Sequence, residues 1–168
     1  MAIYLASKGY NKIVAIDNDD RSLQIAKKNI EKYGFIKNIE LIHPDSRFTL
    51  TSTEKFSLII TNPGGIIIGN NKGNALMTKI STRIDEMMDK GRIVFAQPRL
   101  ANIELVKSQF SSKGFEIKVI ATHAFKLVNP TDVESEVEFN QSLIDDHFFT
   151  LVDGHPALIY EMIEASKY

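Results

Sequence analysis

Three short apolar runs, each closed by a polar residue, constrain this chain more than any other feature. Lys12-Ile13-Val14-Ala15-Ile16 ends in Asp17. Ile39 to His43 runs into Pro44-Asp45-Ser46, and Phe56 to Thr61 runs into Asn62-Pro63-Gly64-Gly65. Such runs, bounded by turn residues, read as buried strands. Between the first two, Leu23, Ala26, Ile30 and Tyr33 share one helical face. Asn18, Asp19 and Asp20 offer N-caps for that helix, and Gly34 closes it.

The same alternation holds elsewhere. Ala2 to Lys8 reads as the end of a helix stopped by Gly9. Leu76, Ile80, Ile84 and Met88 mark a helix, and Gly91 leads into a strand from Arg92 to Ala96. Asn102 caps a helix that turns Ile103, Val106 and Phe110 inward and stops at Gly114. Phe115, Ile117 and Val119 alternate as in a strand with one wetter face, and Ala157 to Ile163 reads as a last strand. Strands alternating with amphipathic helices predict a doubly wound α/β fold, with a mainly parallel sheet and helices on both faces. Ligands of such sheets sit at the carboxyl ends of the strands. Asp17, Asp45 and Asn62 all fall there.

With 168 residues and 43% hydrophobic content, the chain suits one domain spanning 1–168. An acidic insert at about 131–148 carries six acidic residues and no basic one between Thr131 and His147. A solvated face is the ordinary role of such a stretch. Lining a substrate site, it would favour a cationic or amine substrate. A net charge of -1 gives no basic signature for nucleic acid. Without cysteine there is no disulfide framework and no thiolate zinc site. No apolar run approaches the ~20 residues that span a bilayer, so the expectation is a cytoplasmic protein without a membrane partner. His43, His123, His147 and His155 show no helical i, i+4 pairing, so no metal site is expected. Gly64 to Gly69 has phosphate-loop spacing, but Asn70-Asn71 stand where lysine and a hydroxyl residue would be needed.

The run VAIDND followed by a helix, then HPDS, then IITNPG, resembles the class I methyltransferases that use S-adenosylmethionine. The resemblance implies a Rossmann-like methyltransferase fold and methyl transfer, with a nitrogen as the expected target. It implies that Asp17, with Asn18 beside it, binds the cofactor ribose. A carboxylate can accept two charge-assisted hydrogen bonds from a vicinal diol. It places Asp45 at the adenine amino group and the Ser46 backbone near the ring. Asn62-Pro63 is similar to the family's catalytic motif (D/N/S)-P-P-(Y/F/W), which holds a target amino group and aims its lone pair. Gly64 and Gly65 depart from that motif by removing the second proline and the aromatic that stacks on a planar target. Phe125, Phe148 and Phe149 are the candidates to replace that aromatic.

In the family a glycine-rich cofactor loop lies roughly 20 residues before the acid that ends the second strand. Counting back that far from Asp17 passes Met1, so the expectation is a chain that begins after the first strand and its loop. A sheet lacking that strand would keep an exposed edge and associate, giving a homo-oligomer. The substrate class stays open among protein, RNA and a small amine. A non-catalytic methyltransferase-like binding module is the second reading. A nicotinamide-dependent oxidoreductase shares the strand-end acid but leaves Asn62-Pro63 unexplained.

Overall fold

The computed structural model describes residues 1–43, 55–62, 75–101, 103–126 and 149–168. Asp45, Ser46, Pro63, the glycine-rich stretch and the acidic insert lie outside the described residues. The chain divides into two compact units, 1–51 and 52–168.

In the first unit α1 (Ala2–Ser7) precedes β1 (Ile13–Ile16), α2 (Asp20–Lys32) and β2 (Ile39–Ile42). β1 and β2 pair in parallel, Ile13 opposite Ile39 and Ile16 opposite Ile42. Parallel neighbours need a crossover, and α2 provides it. Asp19 is the N-cap of α2, and Ile30 is its one buried residue. Ala6, Ile13, Ile30 and Ile39 form the unit's core, with Ile3, Leu5, Phe35 and Leu41 packed around them. Tyr33 was expected on the inner face of α2 but is 58% exposed.

The second unit holds β3 (Leu58–Thr61), α3 (Ala75–Met87), β4 (Gly91–Pro98), a 3-10 turn (Arg99–Ala101), α4 (Ile103–Ser112), β5 (Glu116–Lys126), β6 (Phe149–Val152) and β7 (His155–Lys167). Its sheet runs in the order β3-β4-β7-β5, with β6 beside β7. β3 and β4 are parallel, whereas β7 is antiparallel to β4, β5 and β6. β3, β4 and β5 therefore share one direction, and their carboxyl ends lie on one edge.

One face of this sheet carries Ile93 and Phe95 from β4 and Ile163 and Ala165 from β7. Onto it pack Met77, Ile80, Ile84 and Met88 around α3, together with Ile103, Val106 and Phe110 of α4. The rings of Phe95, Phe110 and Phe115 meet at 5.7 Å between successive centroids. Leu76, expected on the inner stripe of α3, is 42% exposed, and Met77 takes its place at 0%. Gly91 cannot be replaced by a larger residue without movement. At φ 141° a Cβ there would stand 2.4 Å from the Ser57 carbonyl oxygen, which accepts the Arg92 N–H.

β6 was not expected from the sequence. It forms a hairpin with β7 through Asp153 and Gly154, both at positive φ. Asp-Gly between two strands is the residue pair a two-residue hairpin turn demands. β7 is also longer than expected, spanning thirteen residues from His155.

Candidate active site

In the first unit the site is the loop joining β1 to α2. Asp17 extends the parallel ladder by one rung, its N–H donating to the Ile42 carbonyl at 3.3 Å. One oxygen of its carboxylate, Oδ1, accepts the Asp19 N–H at 2.9 Å. That local bond fixes the direction of the side chain. Asp17 and Asn18 are both exposed at the carboxyl end of β1. Asp19 turns away to cap α2, accepting the N–H groups of Arg21 and Ser22 at 3.2 and 3.0 Å and the Ser22 hydroxyl at 2.7 Å. Those bonds, the Ser22 hydroxyl foremost, hold the Asp19 carboxyl below its usual range. Two neighbouring acids thus have separate tasks: Asp19 is consumed by the helix end, while among the described residues the Asp17 carboxylate is held only through Oδ1. This donor set fits a ribose diol. At the end of β2, His43 Nε2 stands 3.2 Å from the Asn18 carbonyl oxygen and 3.8 Å from Asp20 Oδ1.

In the second unit Asn62 follows β3 directly and is exposed. Because Thr61 is level with Phe95 in the parallel register, Asn62 lies one step further toward the carboxyl end of β4. Pro98 and Arg99 end β4 on the same edge. Arg99 donates from Nε to Glu161 Oε1 at 2.8 Å, and Lys107 of α4 donates to Glu161 Oε2 at 2.9 Å and to Glu104 at 2.7 Å. Glu161 is only 6% exposed. Burial pushes its carboxyl up, but the hydrogen bonds from Lys107 and Arg99 outweigh burial and leave it below the usual range. For Lys107 burial acts to lower the ammonium, and its bonds to Glu104 and Glu161 reverse that to a net rise.

On the opposite face of the sheet, at the same end, three rings gather. His123 and Phe125 of β5 lie 4.6 Å apart between centroids, and Phe125 lies 5.2 Å from Tyr160 of β7, nearly perpendicular to it. Phe125 remains 53% exposed. Burial raises the Tyr160 hydroxyl above its ordinary range.

Sequence reasoning found Asp17, Asn18 and Asn62 at strand ends, and the fold puts them there. It missed Arg99, Lys107 and Glu161. The signal for Arg99 was available, since it is a charged residue immediately after an apolar strand, just as Asp17 is. Glu161 interrupts the apolar stretch Ala157 to Ile163, and an acid there must be paired.

Parallel strands joined by crossover helices, with an acid closing β1, are the layout of a Rossmann-like class I methyltransferase. Residues 3–124 match the family described as RMKL-like, methyltransferase domain, and the chain belongs to that family. No curated protein sequence matches the chain. Among solved structures it is similar to the YcgJ protein from Bacillus subtilis, with a TM-score of 0.65 at 13% identity over 98% of this chain and 86% of that one. A methyltransferase from Pyrococcus furiosus superposes with a TM-score of 0.59 at 16% identity, covering 98% of this chain and 67% of that one. Precorrin-6y C5,15-methyltransferase from Geobacter metallireducens gives 0.57 at 13%, covering 93% and 68%. At such identities these neighbours establish the fold, while the family match makes the chain a methyltransferase. Class I methyltransferases generally use S-adenosylmethionine. Among the described residues no helix is long and apolar enough to cross a membrane.

Proposed function

We propose that this methyltransferase binds S-adenosylmethionine through Asp17, Asn18, Asp45 and Ser46 and methylates a nitrogen held at Asn62-Pro63. The observation that carries the reading is Asp17. Its carboxylate stands exposed at the carboxyl end of β1, and among the described residues one oxygen accepts the Asp19 N–H while the other is open to a diol. The cofactor, when bound, supplies an activated methyl group on a sulfonium. The chain's task is alignment. The Asn62 amide oxygen would accept a hydrogen bond from the acceptor's N–H and turn its lone pair toward the methyl group.

The reading takes residues 1–168 as one domain, since the family match crosses the boundary between the two units. It places the protein in the cytoplasm, with a protein, an RNA or a small amine as substrate. If copies associate through a sheet edge, β3 is the edge proposed. Among the described residues β3 pairs only with β4, whereas β5 carries a bulge near Ile120 and the lysines Lys118 and Lys126, features that blunt an edge.

Calorimetry with S-adenosylhomocysteine tests the cofactor half. Replacing Asp17 by Ala removes two charge-assisted bonds of roughly 1.5–3 kcal/mol each, which are not fully additive. Binding should weaken at least tenfold, and an unchanged Kd would remove Asp17 from the site. For the acceptor half, Asn62→Ala should cut turnover about thirtyfold while leaving cofactor affinity in place, the loss of one well-placed hydrogen bond of about 2 kcal/mol. Equal losses in both would reduce Asn62 to a turn residue.

A further inference from the structure

The β1–α2 loop owes its shape to a residue outside it. The Asp17 N–H is anchored on β2 by a long bond of 3.3 Å, and Asp19 is anchored on α2 by its cap. Between them Asn18 is exposed, and its carbonyl meets His43, which lies twenty-five residues away at the end of β2. A carbonyl oxygen cannot donate, so at 3.2 Å the His43 Nε2 must carry the proton. Asp20 Oδ1, 3.8 Å from the same nitrogen, favours that arrangement. Among the described residues the charged group facing the ring is Asp20 from α2. The His43 side chain is 44% exposed, so it is not a core residue kept for packing.

We propose that His43 is a positioning residue of the cofactor site, its Nε2–H holding the Asn18 carbonyl and so keeping the Asp17 carboxylate aimed at the ribose. This rests on the cofactor reading of Asp17 given above. Rotation of the Asn18 peptide would swing the Asp19 N–H away from Asp17 Oδ1, and the carboxylate would lose its fixed direction. Ribose binding would then have to restore an order that His43 maintains in advance.

Three variants test this in the full chain: His43→Ala, His43→Gln and His43→Asn. Glutamine can present an N–H donor close to where imidazole Nε2 stands, and asparagine is too short to do so. One readout needs no ligand, namely amide hydrogen exchange over residues 17–19. The other is calorimetry with S-adenosylhomocysteine. His43→Ala and His43→Asn should speed exchange of the Asp19 amide about tenfold and raise Kd roughly fivefold, the size expected of one neutral hydrogen bond. His43→Gln should return both close to wild type, with melting temperature unchanged throughout. Wild-type exchange and affinity in His43→Ala would overturn the proposal, as would a Gln variant no better than the Ala variant. A wild-type protein that does not bind S-adenosylhomocysteine at all would overturn the cofactor reading and this proposal together, which separates that failure from a failure confined to His43.

Discussion

The two units bury their apolar residues to different depths. In 1–51 the core is Ala6, Ile13, Ile30 and Ile39, with exposures from 4% to 9%. In 52–168 Met77, Ile84, Met88, Ile93, Val106, Phe110, Ile163 and Ala165 are all at 0%. The cause is sheet width. A two-stranded sheet offers a helix a narrow floor, and Ile30 is the one residue of α2 that it buries. The second unit has four strands side by side, broad enough for α3 and α4 together. The proposed ribose contact therefore sits on the thinner unit and the proposed acceptor contact on the thicker one. Local opening should start where Asp17 is, and ligand binding should stabilise that unit most.

The largest effect should come from the deep core. Phe110→Ala removes a ring packed between Phe95 and Phe115, and urea unfolding should show a loss of about 4 kcal/mol. A loss under about 1.5 kcal/mol would mean that the core collapses around the gap and is not close-packed.

Next comes the buried ion cluster. Glu161→Gln leaves Arg99 and Lys107 without their shared carboxylate and should cost about 3 kcal/mol. The same group makes the second unit acid-sensitive. The folded state depresses the Glu161 carboxyl, so the unfolded chain takes up the proton at a higher pH than the folded chain. Its contribution is complete above the ordinary carboxylate range and fades as pH falls through the lower, folded value. In Glu161→Gln the midpoint of urea unfolding should change less between pH 6 and about pH 3 than in wild type. Equal acid sensitivity in both proteins would shift the effect to other carboxylates.

The smallest effect tests the thin unit. Ile30→Ala deletes the one buried side chain of α2 and should cost about 2 kcal/mol, the low end for such a deletion. Hydrogen exchange should rise across α2, β1 and β2 while β4 and β7 stay protected. A rise of equal size in β4 and β7 would show that the units open as one and would break the comparison.

Much of this was legible from sequence because the patterns were local. Strand ends at Asp17 and Asn62, a cap among Asn18, Asp19 and Asp20, and the inward stripe Ile103, Val106 and Phe110 all follow from short-range periodicity and turn chemistry. Leu76 was misplaced because a stripe read at every fourth residue drifts about 40° per step around a helix of 3.6 residues per turn. The true stripe closes the drift by beginning at Met77. β6 was overlooked because Asp153-Gly154, the residue pair of a two-residue hairpin turn, was not read as a link between two strands. The cluster at Glu161 was hidden for a different reason. Its partners Arg99 and Lys107 are sixty-two and fifty-four residues away, and only the antiparallel placement of β7 between β4 and β5 brings them together.

That placement also sets the order in which the chain can be finished. β4 and β5 are made early and lie on opposite sides of β7, so neither can complete its ladder until residues 155–167 have left the ribosome. Until then the ladder edges of β4 and β5 that β7 will occupy stay open, and the apolar side chains of Ile93 and Phe95 lack their cross-strand partners Ala165 and Ile163. During synthesis β3 and β4 thus form a pair with one open edge, and β5 has no strand to join until β7 arrives. A nascent chain stalled before residue 155 would present that edge to any free strand nearby, its own or another chain's.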